Sequence, residues 1–250
     1  MVLWHNNTFA FVKKQTMDAN QSSETGVAAV DRAIAILQAM SREAAPMALA
    51  DVARDTGLYK STVLRLIASL EKASFVARRT DGSYVLGPYA YQLGRAYEAT
   101  HHLAEVLRPI LADLVAQGTE SASFHVYDSS NTRLCLLRID SHHSTLDRID
   151  AGDLLPLDRG AAGKLITAFR NTNLVPKPAN VTALSLGERD ANCAAVAAAV
   201  FGPNDQIVGA ISLSGPRERF TKKTISTMTR QSLIAASKAT ELLGGHWPKS

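Results

Sequence analysis

Lys60, Ser61 and Arg65 stand close together in DTGLYKSTVLRLI, the stretch from Asp55 to Ile67. An ammonium, a hydroxyl and a guanidinium at this spacing are the groups that meet phosphate oxygens and base edges. On a helical wheel at roughly 100° per residue, Val63, Leu66, Ile67 and Leu70 form one apolar stripe. Ser61, Arg65 and Ala68 fall on the opposite side, with Thr62 and Leu64 on the flanks. The stripe must bury against a neighbour, and the opposite face stays open. Gly57 breaks the preceding helical pattern, and glycine tolerates the positive φ of a tight turn. This pattern predicts a helix-turn-helix whose second helix presents Lys60, Ser61, Thr62, Leu64 and Arg65 to a duplex. Arg65 has the reach for a guanine edge and Leu64 for a thymine methyl. The plainer alternative is a helical hairpin with a solvated polar face.

RRTDGSYVL follows, with apolar and polar residues roughly alternating around Asp81-Gly82, a favoured two-residue hairpin turn. A β-wing beside a recognition helix lets Arg78 and Arg79 hold the DNA backbone or enter the adjacent minor groove. Between Arg54 and Arg79 there are six basic and two acidic residues, so the formal +4 of the 250-residue chain is matched within this one segment. Such a patch reads as phosphate-facing.

The second half offers chemistry that fails on inspection. RGAAGKL lacks the first glycine of a phosphate loop, since Asp158 is there, and Leu165 replaces the required Ser or Thr. His101-His102 and His142-His143 are adjacent pairs whose side chains diverge, which makes neither a metal site. Ser212 and Ser214 lack the Gly-x-Ser-x-Gly elbow. No catalytic residue, metal or cofactor is assigned. A pocket remains. Ala161, Ala162 and Gly163 are small and open a helix, where backbone N–H groups favour a carboxylate. Ser212 and Ser214 share one face of a strand and complete an anion cradle. Phe124, Tyr127 and Leu155 are expected in its wall, with core packing as the alternative for each.

These residues need elements to hold them. Residues 26–87 read helix, helix, helix, hairpin, after an arm over 1–25 with a poorly packing polar end. That arm has no continuous apolar region of the signal-peptide kind, and no run is long enough to span a membrane. PYAYQLGRAYEATHHLAEVLRPILADLVA is a second helical region, expected to kink or restart at Pro109. SASFHVYDSS and TRLCLLRID form a strand pair, DRGAAGKLITAFR a helix, CAAVAAAVFGPNDQIVGAISLSG another strand pair, and TKKTISTMTRQSLIAASKATELL a terminal helix. The composition, 46% hydrophobic and 20% charged, suits an α+β protein with a central antiparallel sheet. Cys135 and Cys193 are the only cysteines, which fits a reducing cytoplasm and no disulfide scaffold.

VDRAIAILQAM, LADVARDTGLYKSTVLRLIASLEKASFV and GSYVLGPYAYQLG resemble the IclR family of bacterial transcriptional regulators. LPLDRGAAGKLITAF and AVAAAVFGPNDQIVGAISLSGPRERF extend the resemblance to the C-terminus. It departs at Tyr59, where the family often has proline, at Asp158, where histidine is common, and in the shortened Arg170–Ser185 stretch.

The resemblance implies an N-terminal winged helix-turn-helix domain (26–87) and a linker helix (88–107). A GAF-like α/β effector-binding domain with a central antiparallel sheet follows (108–250). It implies small organic-acid effectors contacting Ala161, Ala162, Ser212 and Ser214, and places Glu188 at an acidic position near that site. A module this small needs pairing to hold an operator, so a homodimer or tetramer on palindromic double-stranded DNA is expected. Residues 26–40 and Pro88–Leu107 are the expected pairing surfaces. Repressor is the commoner expectation from the resemblance. Two readings compete: a ligand-binding enzyme with a helical accessory domain, and a winged-helix adaptor that binds protein.

Overall fold

A computed structural model describes residues 26–43, 45–129, 131–142, 149–170 and 174–248. The expected N-terminal arm lies outside them, as does His143 of the second histidine pair. The chain divides into two compact units, with the boundary between Pro88 and Tyr89.

The first unit holds helices α1 (Ala28–Arg42), α2 (Leu49–Thr56) and α3 (Lys60–Lys72), then strands β1 (Val76–Arg78) and β2 (Tyr84–Leu86). Ile36 and Met40 of α1, Val52 of α2 and Val63, Ile67 and Leu70 of α3 form one core with Val76 and Tyr84 of the hairpin. The expected stripe of α3 therefore points inward, with Leu66 at its half-buried edge. Gly57 ends α2 at φ +68°, and its N–H bonds Arg54 O at 3.3 Å. The hairpin pairs Val76 with Leu86 and Arg78 with Tyr84. Its turn differs from the expected two-residue type. Arg79 N–H donates to Ser83 O at 2.8 Å and Gly82 N–H to Arg79 O at 3.0 Å, which encloses a three-residue loop. Gly82 takes the left-handed position after the tight turn, at φ +85°.

The second unit begins with α4 (Pro88–His101) and α5 (Leu103–Ala116). The break between them falls at His102, which is left-handed at φ +50°, and Pro109 lies inside α5 instead of ending it. Strands β3 (Ser121–Ser129), β4 (Thr132–Asp140), β5 (Leu154–Pro156), β6 (Thr182–Leu186), β7 (Cys193–Phe201) and β8 (Ile207–Pro216) follow, with α6 (Ala161–Arg170) between β5 and β6 and α7 (Lys222–Leu242) at the end. The strands form one antiparallel sheet in the order β5-β4-β3-β8-β7-β6. The short outer strands β5 and β6 had no distinct signal in the sequence.

Alternate residues divide the sheet between two layers. Ala122, Phe124, Val196, Ile211 and Leu213 pack with α5 and α7, while Ala197, Ala199, Phe201 and Ala210 pack with α6. Small side chains on β7 let α6 approach closely. A Cβ on Gly163 would stand 2.4 Å from Leu157 O, so the first turn of α6 requires glycine there.

Candidate functional site

The N-terminus of α3 is open. Tyr59 precedes it with no side-chain cap, is 86% exposed, and its carbonyl accepts Thr62 and Val63 N–H at 2.9 and 3.0 Å. Lys60, Ser61 and Arg65 are exposed, Leu64 is 49% exposed, and Thr62 is half-buried. Arg78 is exposed on the hairpin with its guanidinium 5.8 Å from the Tyr84 ring centre. Lys60, Arg65 and Arg78 make no ion pair with any described residue. Arg54 is different: it bonds Asp51 at 2.7 Å and Asp55 at 3.1 Å, so its charge is taken up within α2. Arg79 is partly engaged, 3.6 Å from Asp81. The Ser83 hydroxyl and N–H hold the Asp81 carboxyl below its ordinary range. The uncompensated basic surface is therefore narrower than the charge count alone suggests: it is the outer face of α3 and the wing arginine Arg78.

In the second unit a cavity of about 30 Å³ lies between the start of α6 and the sheet. Ala161, Ala162, Ser212 and Ser214 line it, together with His125, Arg133, Ser185, Arg189 and Asp190. The strand register explains the gathering. Ser121 pairs with Ser214 and Ser123 with Ser212, which places a floor of buried hydroxyls under α6. Ser121 Oγ lies 3.0 Å from Ser214 Oγ, and Ser123 Oγ lies 2.9 Å from His125 Nε2. A bulge in β4 adds one residue opposite Phe124 and His125, a device that re-aims side chains.

Arg133 and His125 were not singled out in the sequence. A polar residue on a strand ordinarily signals solvent, and only the strand order reveals otherwise. Arg133 is 3% exposed and donates to Pro156 O and, at 2.9 Å, to Arg159 O. Its Nε has no partner among the described residues, nor does Nδ1 of His125. Burial, and then the charge of Arg189, push the Arg133 pKa down to about 10. Burial, followed by Arg133, Arg138 and Arg189, holds His125 well below its usual range, so the imidazole is neutral at pH 7. The cavity thus carries two guanidinium groups against one carboxylate, Asp190, which accepts Asn192 N–H at 2.9 Å.

Several expected contacts lie elsewhere. Phe124 is corrected: it faces α5 and α7, on the far side of the sheet from the cavity, because the parity that turns Ser123 and His125 inward turns it away. Tyr127 packs toward the α6 layer under the Arg170 guanidinium, 3.5 Å from its ring centre. Leu155 joins Cys135 and Ile149 in a small separate cluster. Neither lines the cavity, and Gly163 does not either. Glu188 reaches the start of α6 from outside, accepting Gly160 N–H at 3.3 Å and bonding Lys164 Nζ. The Lys164 ammonium, and then the Gly160 N–H, hold its carboxyl below the ordinary range against the opposing cost of burial. Among the described residues no cluster of three metal-ligating side chains occurs, and no helix is long and apolar enough to cross a membrane.

An open, basic helix face beside a wing, and a separate sheet domain with a small polar cavity, define a winged helix-turn-helix regulator. Residues 29–80 match the IclR helix-turn-helix domain, and residues 178–241 match the bacterial transcriptional regulator IclR C-terminal domain. Both are domains of the IclR family of bacterial transcriptional regulators, which the chain resembles in each of its two units. It is 23% identical to the transcriptional repressor IclR of Escherichia coli strain K12, over 88% of this chain and 91% of that one. A crystal structure of an IclR-type regulator from Silicibacter sp. TM1040 superposes with a TM-score of 0.73 at 23% identity, covering 88% of this chain and 98% of that one. An IclR homologue from Microbacterium hydrocarbonoxydans, solved in complex with 4-hydroxybenzoate, gives 0.70 at 15% identity, covering 85% and 99%.

Proposed function

We propose that this protein is a repressor that binds a palindromic operator as a dimer or a pair of dimers, and that a small organic anion in the C-terminal cavity changes its operator affinity. Residues 26–87 serve as the DNA module, 88–107 as the linker and 108–250 as the effector domain, acting in the bacterial cytoplasm. The observation that carries the reading is the outer face of α3, where Lys60 and Arg65 are exposed and make no ion pair among the described residues. Lys60, Ser61, Thr62, Leu64 and Arg65 enter the major groove, with Arg65 on a base edge, while Arg78 and Arg79 hold the backbone. The repressor name of the E. coli relative supports the sign of control. The 4-hydroxybenzoate held by the Microbacterium homologue supports a carboxylate effector. Pairing is supported by exposed apolar side chains, namely Val27, Val30 and Ile34 around α1 and Tyr89, Tyr91, Leu93 and Tyr97 on α4.

The effector must bind one arrangement of the paired modules better than another, since equal affinity shifts nothing. A coupling of about 1–3 kcal/mol changes operator affinity some 5–150-fold. The test is a gel shift of the full chain on the DNA upstream of its own gene, beside Arg65→Ala. A retarded complex that weakens in the variant is expected, with a loss of about 1–3 kcal/mol if Arg65 reads a base. Absence of any complex, or equal binding by the variant, overturns the assignment of α3.

A further inference from the structure

We infer that Tyr59 is a DNA contact in its own right, its phenol hydroxyl donating to a phosphate at the edge of the groove that α3 enters. The inference rests on the reading of α3 as the recognition helix, and it adds a residue and the kind of atom that residue meets.

Exposure comes first. Tyr59 is 86% exposed, against 73% for Tyr91 on α4. Its side chain makes no hydrogen bond or ring contact with any described residue. The company of the two tyrosines differs. Tyr91 shares α4 with exposed Tyr89, Leu93 and Tyr97, an apolar setting. Tyr59 is followed at once by exposed Lys60 and Ser61, groups that meet a phosphate backbone. Tyrosine suits an interface with one wet side, because it offers a broad ring and a polar tip.

The backbone comes second. Tyr59 lies at φ −64° and ψ 141°, and its side chain does not cap α3. Its N–H makes no bond with any described residue. Proline supplies that φ and lacks that N–H, so the local fold is met equally by a residue with no phenol at all. Nothing inside the first unit uses the ring or the hydroxyl. What they do, they do outward.

Groove geometry comes third. A major groove is about 12 Å wide, hardly more than a helix with its side chains. A long side chain set before the first turn therefore meets a sugar-phosphate wall, while Arg65, in the second turn, is left for the base edges. The phenol brings one O–H donor and no charge. Its contact adds affinity without displacing a counterion, unlike that of an arginine.

The test is fluorescence anisotropy of the full chain on the DNA upstream of its own gene, over a series of salt concentrations. Wild type is set beside Tyr59→Phe, Tyr59→Ala and Arg65→Ala. Tyr59→Phe is expected to weaken binding about tenfold, the scale of a hydrogen bond to a charged group. Its slope of log affinity against log salt and its thermal midpoint are expected to match wild type, and Tyr59→Ala to weaken binding at least as much. Single methylphosphonate substitutions along the bound site then locate the phosphate: at one symmetric pair of positions they weaken wild type and leave Tyr59→Phe unaffected. Tyr59→Phe binding as tightly as wild type overturns the inference, even if Tyr59→Ala binds weakly, because the ring alone is then at work. A lowered thermal midpoint in Tyr59→Phe, a changed salt slope, or methylphosphonate losses that simply add to that of the variant overturn it as well. If Arg65→Ala weakens binding and Tyr59→Phe does not, the recognition helix stands and only this assignment falls. If no complex forms, or neither variant weakens it, both fall.

Discussion

Arg133 and Gly160 share one space: the guanidinium NH2 lies 3.1 Å from the point where a Cβ on Gly160 would sit, and Gly160 is left-handed at φ +85°. The glycine is required twice over, by its backbone and by its neighbour. Gly160→Ala is expected to destabilise the protein by about 2–3 kcal/mol, combining left-handed strain with overpacking against a side chain that cannot retreat. Urea denaturation of the full chain, followed by circular dichroism, measures it.

Gly57 separates those two causes. It is also left-handed, at φ +68°, but nothing lies within 4 Å of its missing Cβ. Gly57→Ala should therefore cost only the backbone strain, about 1–2 kcal/mol. Gly57→Asn should cost less, because asparagine visits this conformation more readily. The same denaturation experiment, with the loss ordered Gly160→Ala, Gly57→Ala, Gly57→Asn, checks the comparison.

Glu188 ties the segment after β6 to the start of α6 through Lys164 and the Gly160 N–H. Its folded pKa lies below the ordinary 4.5, so the charged form is the stabilised one. The contribution is present above pH 4.5 and disappears as the pH falls through the lowered folded value. Both side chains are more than a third exposed, which screens the pair and limits it to about 0.5–1 kcal/mol. Glu188→Gln should lose that much at pH 7 and converge with the wild type in acid. Thermal unfolding across pH 3 to 7 follows the difference.

Arg78 and Arg54 are both exposed, yet among the described residues only Arg54 has acidic partners and Arg78 has none. Removing a phosphate contact lowers the slope of log affinity against log salt by about 1. Arg78→Ala should do so, weakening binding about equally across DNA sequences. Arg54→Ala should leave the slope unchanged. Fluorescence anisotropy at several salt concentrations reads both.

The helix-turn-helix was legible because its signal is local. Val63, Ile67 and Leu70 fall on one side of α3 by helical period alone, and Gly57 marks the turn without reference to anything distant. The cavity was legible only in part. Ala161 and Ala162 open a recognisable helix, and Ser212 and Ser214 are two apart on a strand. Arg133 and His125 became visible only when β4 was set beside β3 and β3 beside β8, pairings that join residues far apart in the chain. Phe124 misled for the same reason. A strand buried on both faces has no hydrophobic alternation to show which face a given residue takes. Arg54 looked basic in sequence and is neutralised in space, by acids one and three residues away.

Strand β3 sits near the middle of the sheet and bears different cargo on its two sides, Ser123 and His125 toward the cavity, Ala122 and Phe124 toward α5. A pleated strand is stiff across its width, so a sideways step on one side is a step on the other. A molecule arriving at the polar side would push, through that stiffness, on the greasy cluster that holds Leu107 and Leu111 of α5. The middle of the sheet is therefore a lever as well as a floor.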